Sequence, residues 1–455
     1  MSMEQLLVFL MFFCFMVLLL VGLPVAWALA ASGFLFAVIG HVLVEYFSAD
    51  LWFTWAGTIG VMPGRIYSVV ANELMVALPL FILMGIVLDC SGVAQRTMSS
   101  IVRVMNGMRG SYAITVVIVG ILLAASTGIV GASVAMLGLL SLQPMLDAKY
   151  NKSLAVGTAC SVGTLGILIP PSIMLVIMAD RLGTPDASVG KLFMGALIPG
   201  LMLGAMYIIY ILIASFLDED LAPAISQKEG FSPKILLDVF IAVIPPLALI
   251  FAVLGSIFTG FATTTEASAV GVLGAVLLAM VFGKFSVGMF RKALYQTSRT
   301  TAFIFAIFIG ATIFASVLRG LGGDDVIRDL IVGLPFGETG VVLSILFLVF
   351  LLGFFLDWVE ITLIILPLVA PVVFLLGVDP VWFAVLFAIC LQTSFLTPPV
   401  GFALFYIKGV APPQISTLDV YKGIVPFLVL QVAALLMVLF FKPLATWLPQ
   451  HVYGG

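Results

Sequence analysis

Residues 164–172 read TLGILIPPS and residues 393–401 read TSFLTPPVG, each within a long run that lacks Asp, Glu, Lys and Arg. A Pro-Pro pair removes two amide donors and clashes with the preceding turn, so it breaks a helix. The freed carbonyl oxygens and nearby hydroxyls suit a small hard cation such as Na⁺, and the amide end of the next half-helix suits a carboxylate. One such kink is weak evidence, whereas two in matching positions indicate paired binding elements.

The two stretches belong to an internal duplication. Four prolines of the first half recur in the second half at one spacing of 227 residues; with 23 prolines in 455 residues, chance predicts roughly 0.6 such coincidences. The pairs are Pro144 with Pro371, Pro171 with Pro398, Pro185 with Pro412 and Pro199 with Pro426. In a hydrophobic chain, a duplicated unit that contains broken helices indicates a membrane transporter.

Composition places the chain in a membrane, because 63% of its residues are hydrophobic and only 9% are charged. Helices are the expected spans: about 20 apolar residues cross a bilayer as a helix, and the sequence lacks the alternation of barrel strands. The net charge of −3 indicates no nucleic-acid partner. The uncharged runs are 5–44, 110–146, 153–179, 192–217, 239–265, 300–318, 380–407 and 423–441.

The predicted fold is an all-α polytopic membrane protein made of two repeats, 1–217 and 235–455, joined by a polar cytoplasmic linker, 218–234. Each repeat is expected to contain about five transmembrane helices and one re-entrant helical hairpin. An odd number of crossings turns the second repeat upside down relative to the first. The hairpins are predicted at 110–146 and 339–376, and the broken helices at 154–179 and 381–407.

Loop charges support this inversion, because cytoplasmic loops are rich in Lys and Arg. We expect the basic loop 284–299 on the cytoplasmic side with the loops of the first hairpin, and both termini outside. Residues 45–72 leave the boundaries of the second span open. The first hairpin is flanked by Arg96, Arg103, Arg109, Lys149 and Lys152, and the second mainly by Asp324, Asp325, Asp329, Glu338 and Asp379.

The middle of the first hairpin reads STGIVGAS, residues 126–133. A turn at the far membrane surface would usually carry a charge or an aromatic anchor. We therefore interpret 126–133 as a tip near the midplane, where irregular backbone must line a cavity or be covered by protein. A close helix–helix contact would also use small residues, and the sequence leaves that alternative open.

The second hairpin carries acidic residues where its tip is expected. The proline spacing aligns Val130 with Asp357, inside GFFLDWVE at 353–360. An acid at membrane depth is costly and marks a functional candidate, so Asp357 and Glu360 are candidate site residues. The alternative is an interfacial position for both acids, with Trp358 as the anchor.

Glu266, in TTTEAS at 263–268, is the other acid predicted to be buried, either hydrogen-bonded between helices or part of a gate. His41 and His451 are far apart in the sequence and peripheral, and the chain contains no phosphate-binding loop or serine-nucleophile motif. The sequence therefore predicts neither an ATPase nor another enzyme.

At these residues the chain resembles the large membrane subunit (DctM-type) of tripartite ATP-independent periplasmic (TRAP) transporters. The resemblance covers nearly the whole chain. One departure is Thr264, which stands where the family often has proline, in the helix break before Glu266. The most specific segments are LPLFILMGIVLDCSG (78–92), STGIVGASVAMLGLLSLQPML (126–146), GTLGILIPPSIML (163–175), FLDWVEITLIILPLVAPVV (355–373) and QTSFLTPPVGFALFYIKGVAP (392–412).

The resemblance implies an elevator-type secondary transporter in the bacterial inner membrane, driven by Na⁺ and without an organic cofactor. It also implies two partners, a separate small four-helix membrane subunit (DctQ-type) and a periplasmic substrate-binding protein (DctP-type). By the same resemblance, one Na⁺ site would use Ser126, Gly128, Gly131, Thr164 and Gly166, and the other Gly353, Asp357, Thr393, Ser394 and Thr397. Substrate would lie between them, at Ser126, Thr127, Ser133, Pro171, Ser172, Asp357, Pro399 and Gly401.

The expected function is Na⁺-coupled uptake of a small organic anion: a 2-oxo acid, another monocarboxylate, a dicarboxylate or a sulfonate. Two Na⁺ per monoanion would draw about 5 kcal/mol from tenfold gradients and 100 mV, enough for accumulation on the order of 10³–10⁴-fold. A channel or passive pore is the alternative, although the polar groups gather at two breaks instead of along a continuous path. An intramembrane enzyme would need Asp357 and Glu266 in one site, which their repeat positions disfavour.

Overall fold

The computed structural model describes residues 2–47, 51, 53–127, 130–224, 233–333 and 337–454; the side chains of residues 125–127, 233, 234 and 332 lie outside this description. Every regular element in the described residues is a helix. Ten of these helices are long and apolar enough to span a membrane. The predicted all-α membrane fold is therefore confirmed.

Both halves of the chain run through the same order of elements: two long helices, a third long helix, a short helix, a helical hairpin, a broken helix and a last long helix. The first half contains α1 (Met3–Leu20), α2 (Val25–Phe47), α3 (Trp55–Thr58), α4 (Met62–Val70), α5 (Glu73–Cys90), α6 (Val93–Val104), α7 (Ser111–Thr127), α8 (Val130–Asp147), α9 (Lys152–Gly163), α10 (Ile173–Leu182) and α11 (Val189–Leu217). The second contains α12 (Pro233–Phe258), α13 (Thr264–Val281), α14 (Val287–Gly320), α15 (Gly323–Val332), α16 (Glu338–Leu352), α17 (Trp358–Leu375), α18 (Pro380–Leu396), α19 (Phe402–Val410), α20 (Thr417–Phe440) and α21 (Pro443–Tyr453).

Matching caps begin corresponding helices in the two halves. Asn151 caps α9 and Ser188 caps α11, while Asp379 caps α18 and Ser416 caps α20. Each cap oxygen accepts a hydrogen bond from a first-turn amide, which satisfies a donor that the helix itself leaves free. The paired caps are 228 residues apart. The structural register is thus one residue longer than the proline spacing, and Val130 corresponds to Trp358 instead of Asp357.

Packing between the halves is reciprocal. α2 packs against α14 and α5 against α13; likewise α9 packs against α20 and α18 against α11. At residue level, a Cβ on Gly423 would collide with the Ser153 carbonyl, and a Cβ on Gly195 would collide with Val381, which are the positions exchanged by the 228-residue register. Exchanged pairs of this kind are expected when a two-fold axis relates two halves.

The ion pairs between loops join loops that are predicted to lie on the same side of the membrane. In the cytoplasmic group Arg109 pairs with Glu219. In the external group Lys442 Nζ lies 2.8 Å from Glu338 Oε1, and Arg319 Nε lies 3.7 Å from Asp324 Oδ2. The grouping agrees with the charge pattern; the upside-down relation of the repeats and the depth of the hairpins stay predictions.

The helices form two bodies. The frame body consists of α1–α5 and α12–α14, in which α2 with α14 and α5 with α13 make the closest pairs. The hairpin body consists of α7–α11 and α16–α21, which pack mainly with one another. The short helices α6 and α15 contact both bodies and connect them along the chain.

Candidate ion and substrate site

The two hairpins and the two breaks lie together in the hairpin body. α8 packs against α9 of its own half and against α19, which follows the second break. In the same way, α17 packs against α10, which follows the first break, while α16 of the same hairpin packs against α18. Each hairpin therefore contacts the broken helices of both halves.

The end of α16 rests directly on the second break. Gly353 caps α16 and is buried, and a Cβ atom at this position would collide with Ser394 Oγ. Ser394 Oγ donates a hydrogen bond of 2.7 Å to the Phe350 carbonyl in the last turn of α16. The structure thus brings together Gly353 and Ser394, two residues of the second predicted Na⁺ site.

Thr393 and Thr397 direct their hydroxyls to the backbone of α18. Thr393 Oγ1 donates to the Ile389 carbonyl at 2.7 Å, and Thr397 Oγ1 donates to the Thr393 carbonyl at 2.8 Å. Because α18 ends at Leu396, the last carbonyls of this helix lie beyond the reach of further helical amides. These oxygens and the neighbouring hydroxyls are the ligand type that Na⁺ prefers.

Asp357 caps α17, since its Oδ1 accepts a 2.8 Å hydrogen bond from the Trp358 amide. Glu360 lies one turn further on; it is 2% exposed, and its Oε2 has no hydrogen-bond partner among the described residues. Trp358 is 1% exposed, so it does not anchor the segment at a membrane surface. Trp358 therefore lacks the role that the alternative interpretation gave it, while the depth of the two acids in the membrane stays a prediction.

The first break packs against the start of α8. α9 ends at Gly163, and a Cβ on Gly163 would lie 2.7 Å from Val134 Cα, so only glycine permits this approach. A 3₁₀ turn, Thr164–Ile167, follows and includes the predicted ligand Gly166, which is buried. Val134 lies one position after Ser133, a buried residue of α8 that was predicted to face substrate.

The hydroxyl of Thr164 is engaged elsewhere. It donates to the Ser161 carbonyl at 2.7 Å and accepts from Gln392 Nε2 at 3.1 Å and Gln431 Nε2 at 3.3 Å. Its hydrogen-bonding capacity is thereby filled. A contribution of Thr164 to an ion site is therefore expected from its carbonyl and not from its side chain.

The half-helices after the breaks begin without side-chain caps in the described residues: no cap side chain bonds to the first-turn amides of α10 or α19. Ser172 Oγ instead donates to the Ile167 carbonyl at 2.7 Å. The Leu404 amide in α19 donates to the Gly401 carbonyl at 2.9 Å, and the first two amides of each half-helix are the ones that suit an anion. Pro171 is buried whereas Pro399 is exposed, and the Pro399 carbonyl accepts a 3.4 Å hydrogen bond from Tyr421 Oη.

The tip of the first hairpin is described in part. The side chains of Ser126 and Thr127, and the whole of Gly128, lie outside the described residues. A Cβ on Gly131 would lie 2.7 Å from Tyr406 Cζ, and this tyrosine also lies close enough to Asp357 and Glu360 to interact electrostatically with both. Tyr406 of α19 therefore connects the first hairpin to the acids of the second.

Sequence reasoning missed Tyr406 and the polar residues around Thr164, which are Gln392, Gln431 and Tyr207. Gln392 and Gln431 are fully buried, and each lies in a run without charged residues. A polar amide inside such a run is a detectable signal, because an amide at that depth needs a partner.

Glu266 is exposed, so its predicted burial is wrong. Its Oε2 accepts hydrogen bonds from the amide and the hydroxyl of Thr263, at 2.8 and 2.9 Å, in a capping box that begins α13. Thr264 takes the first helical position, where proline is favoured but not required, so the helix begins normally. Glu266 lies in the frame body, apart from Asp357.

The chain was compared with known proteins. The family model of the tripartite ATP-independent periplasmic transporter, DctM component, matches residues 12–444. The chain belongs to this family. Relatives whose names state a function are transporter permeases, so the protein is a transporter subunit and not an enzyme. The family carries organic acids by secondary transport.

Two relatives resemble this chain in sequence, and one solved structure resembles it in fold. The C4-dicarboxylate TRAP transporter large permease protein DctM of Vibrio cholerae is 28% identical over 96% of both chains. The isethionate TRAP transporter permease protein DctMQ of Oleidesulfovibrio alaskensis is 27% identical over 93% of this chain and 63% of its own length. The Alcanivorax borkumensis YdaH transporter superposes with a TM-score of 0.60 at 14% identity, covering 85% of this chain and 89% of that chain, which shows a shared fold.

Proposed function

We propose that this protein is the membrane permease of a Na⁺-coupled TRAP transporter that takes up a small organic anion across the bacterial inner membrane. The observation that carries the proposal is the contact of Gly353 and Ser394, where a hairpin end meets the break of a helix. Hydroxyls and helix-end carbonyls lie there, and the Asp357 carboxylate follows four residues after Gly353 in the sequence. We propose that these oxygens together form the site, since such a set favours a small hard cation.

Substrate is proposed to bind between the two breaks. The first-turn amides of α10 and α19 have no side-chain cap in the described residues, and they can donate hydrogen bonds to a carboxylate or sulfonate oxygen. The printed names of the relatives, C4-dicarboxylate and isethionate, support a small organic anion of either kind.

The protein is proposed to work with a separate periplasmic binding protein and a separate small four-helix membrane subunit. The family is one component of a tripartite transporter. The relative named DctMQ is longer than this chain, which spans 63% of its length. The extra length of that relative leaves room for a second membrane component in it.

Movement of the hairpin body past the frame body is the proposed elevator step. Asn72 of α5 donates a hydrogen bond to Asp180 of α10 and so joins the two bodies at one end. In a variant without native cysteines, an Asn72→Cys/Asp180→Cys pair bridged by a short crosslinker should stop transport reversibly. A Glu73→Cys/Thr265→Cys pair, both within the frame body, serves as the control. Undiminished transport with the first bridge would contradict the elevator step.

Sodium coupling is tested first without substrate. A ligand that binds only the folded protein raises its apparent melting temperature, so the purified protein should melt about 2 °C or more higher in NaCl than in KCl of equal concentration. Equal melting temperatures in the two salts would contradict a Na⁺ site.

Coupling to transport is tested with the whole transporter. Vesicles would contain this protein and the products of the adjacent genes, with an anion chosen by its binding to the periplasmic partner. Concentrative uptake that collapses with a sodium ionophore supports the proposal. Uptake that only equilibrates the anion, and ignores the ionophore, supports the passive pore instead.

A further inference from the structure

Four fully buried side chains form a polar network between the halves: Thr164 and Tyr207 from the first, Gln392 and Gln431 from the second. Gln392 Nε2 lies 3.1 Å from Thr164 Oγ1. Gln431 Nε2 lies 3.3 Å from the same hydroxyl and 2.9 Å from Tyr207 Oη. The Thr164 hydroxyl thus accepts two hydrogen bonds, each from a glutamine side-chain amide of the opposite half.

The network lies on the two-fold axis that relates the halves. The register of 228 residues, set by the caps of α9 and α18, makes Thr164 and Gln392 equivalent positions. Equivalent positions can contact each other only at the axis. The axis also passes between the breaks, because Thr164 begins the 3₁₀ turn of the first, and Gln392 directly precedes Thr393 and Ser394 of the second.

Not every polar atom of this network has a hydrogen-bond partner among the described residues. Gln392 Oε1 and Gln431 Oε1 are buried without hydrogen-bond partners among the described residues, as is the hydroxyl of Ser161, whose carbonyl accepts from Thr164. Buried unpaired oxygens destabilise a fold, so a network that served stability alone would be better replaced by apolar packing. The unpaired oxygens therefore indicate that the network has a role other than stabilising the fold.

We infer that the Thr164–Gln392–Gln431–Tyr207 network couples the two Na⁺ sites, so that ions bind cooperatively. The inference rests on the proposed Na⁺ coupling. An ion held by the carbonyls of the first break fixes the 3₁₀ turn and with it the Thr164 hydroxyl. The Gln392 amide follows this hydroxyl, and the same helical turn carries Thr393 and Ser394. Ordering one break therefore prepares the other, which is a coupling free energy between two sites.

The test measures equilibrium binding of radioactive sodium to the full chain in lipid nanodiscs, with KCl holding the ionic strength constant. Wild-type protein should bind with a Hill coefficient above one. Gln431→Leu removes two hydrogen bonds of the network without changing any proposed ligand. It should lower the Hill coefficient to one and raise the half-saturating Na⁺ concentration about fivefold.

Two further variants complete the test. Tyr207→Phe removes a single hydroxyl and should lower the Hill coefficient partially, which keeps the test decisive if Gln431→Leu does not fold. Trp382→Phe is the matched control, because Trp382 Nε1 donates a buried 2.7 Å hydrogen bond to the Val438 carbonyl between the same helices, α18 and α20, away from the breaks. It should lower thermal stability and leave the Hill coefficient unchanged.

The outcomes separate this inference from the proposed function. Two bound ions with a Hill coefficient of one in wild type, or an unchanged coefficient in both Gln431→Leu and Tyr207→Phe, would overturn the coupling and leave the Na⁺ sites standing. Absence of Na⁺ binding to the wild type would remove the proposed function, and the coupling with it.

Discussion

At the scale of single residues, Ser394 differs from its neighbours in the direction of its hydroxyl. Thr393 and Thr397 bond to carbonyls of their own helix, whereas Ser394 bonds across to Phe350 of α16. Ser394 therefore holds the hairpin against the break, and its oxygen lies where both elements end. A change at this residue should affect ion binding more than overall stability.

Ser394→Ala should raise the Na⁺ concentration needed for half-maximal stabilisation about fivefold, because one oxygen and one interhelical hydrogen bond are lost. Na⁺-dependent melting of the purified protein measures the change. Ser141→Ala is the control, since Ser141 is equally buried but bonds to the Leu137 carbonyl within α8. An unaltered Na⁺ dependence in Ser394→Ala would remove this residue from the site.

Asp357→Asn should keep the cap of α17, because asparagine caps as well as aspartate, while removing the carboxylate charge from the proposed ion. We expect Na⁺ affinity to fall at least about tenfold, as for loss of a charged ligand, with little loss of melting temperature in KCl. Asp379→Asn, at the cap of α18, tests the same exchange away from the breaks. Equal Na⁺ affinity in the two variants would argue against Asp357 as a ligand.

The sequence identifies candidate residues well where placing them in a membrane would cost free energy. Asp357 stands out because an acid is expensive in a membrane, and the structure places it at the cap of α17, directly after the turn that follows α16. Glu266 resembles Asp357 in sequence, because it too follows a long uncharged run, but it lies exposed in the first turn of α13. The difference depends on where the helix begins, and a run of apolar residues does not reveal this to within one turn. Gln431 was missed because amides carry no charge.

At the scale of elements, the close contact of hairpin and break depends on glycine. The absence of a side chain at Gly353 lets α16 end against Ser394, and the same device brings Gly163 against Val134 in the first half. Each half therefore uses a small residue to bring a hairpin and a broken helix into backbone contact. Larger side chains at these positions would separate the oxygens that are proposed to share an ion.

Gly353→Ala should push the end of α16 away from α18, since its Cβ would meet Ser394 Oγ. Overpacking of this kind costs about 1–3 kcal/mol, and we expect a lower melting temperature together with loss of the difference between NaCl and KCl. Gly409→Ala in α19 is the control, because nothing lies within 4 Å of a Cβ there. A Gly353→Ala protein that kept its full response to Na⁺ would contradict the proposed site.

Element boundaries show what the sequence could and could not define. The uncharged run 300–318 identifies the part of α14 that can cross lipid, yet the helix begins at Val287, where Ser286 caps it. The apolar run indicates which part of the helix can lie in lipid, whereas the capping residue indicates where the helix begins. The proline spacing likewise identifies the duplication, but Pro144 and Pro371 stand one position apart within the equivalent helices α8 and α17, so the hairpin register shifted by one residue.

At the scale of the whole molecule, the predicted inversion places α15 outside the cell and the start of α14 inside. Asp325 of α15 pairs loosely with Arg328 at 4.0 Å and is exposed, and Arg291 is exposed near the start of α14. Both positions are therefore accessible to a reagent in water. They form a matched pair for a test of sidedness.

In a background without native cysteines, Asp325→Cys should react with a membrane-impermeant maleimide on intact spheroplasts, where the inner membrane is exposed. Arg291→Cys should react only after the membrane is opened, because cytoplasmic loops carry the positive charge. Labelling would be followed by mass shift, with opened membranes as the control for reactivity of both sites. Labelling of both, or of Arg291→Cys alone, on intact spheroplasts would refute the predicted sidedness of α14 and α15.

Contact between equivalent positions across the axis has a consequence for ancestry. In a dimer of identical chains, the residue at such a position meets its own twin, so every substitution changes both partners at once. Thr164 and Gln392 are instead an unlike pair, a hydroxyl and an amide that complement each other. Complementarity of this kind could arise only after the ancestral gene was duplicated, when each copy became free to mutate by itself.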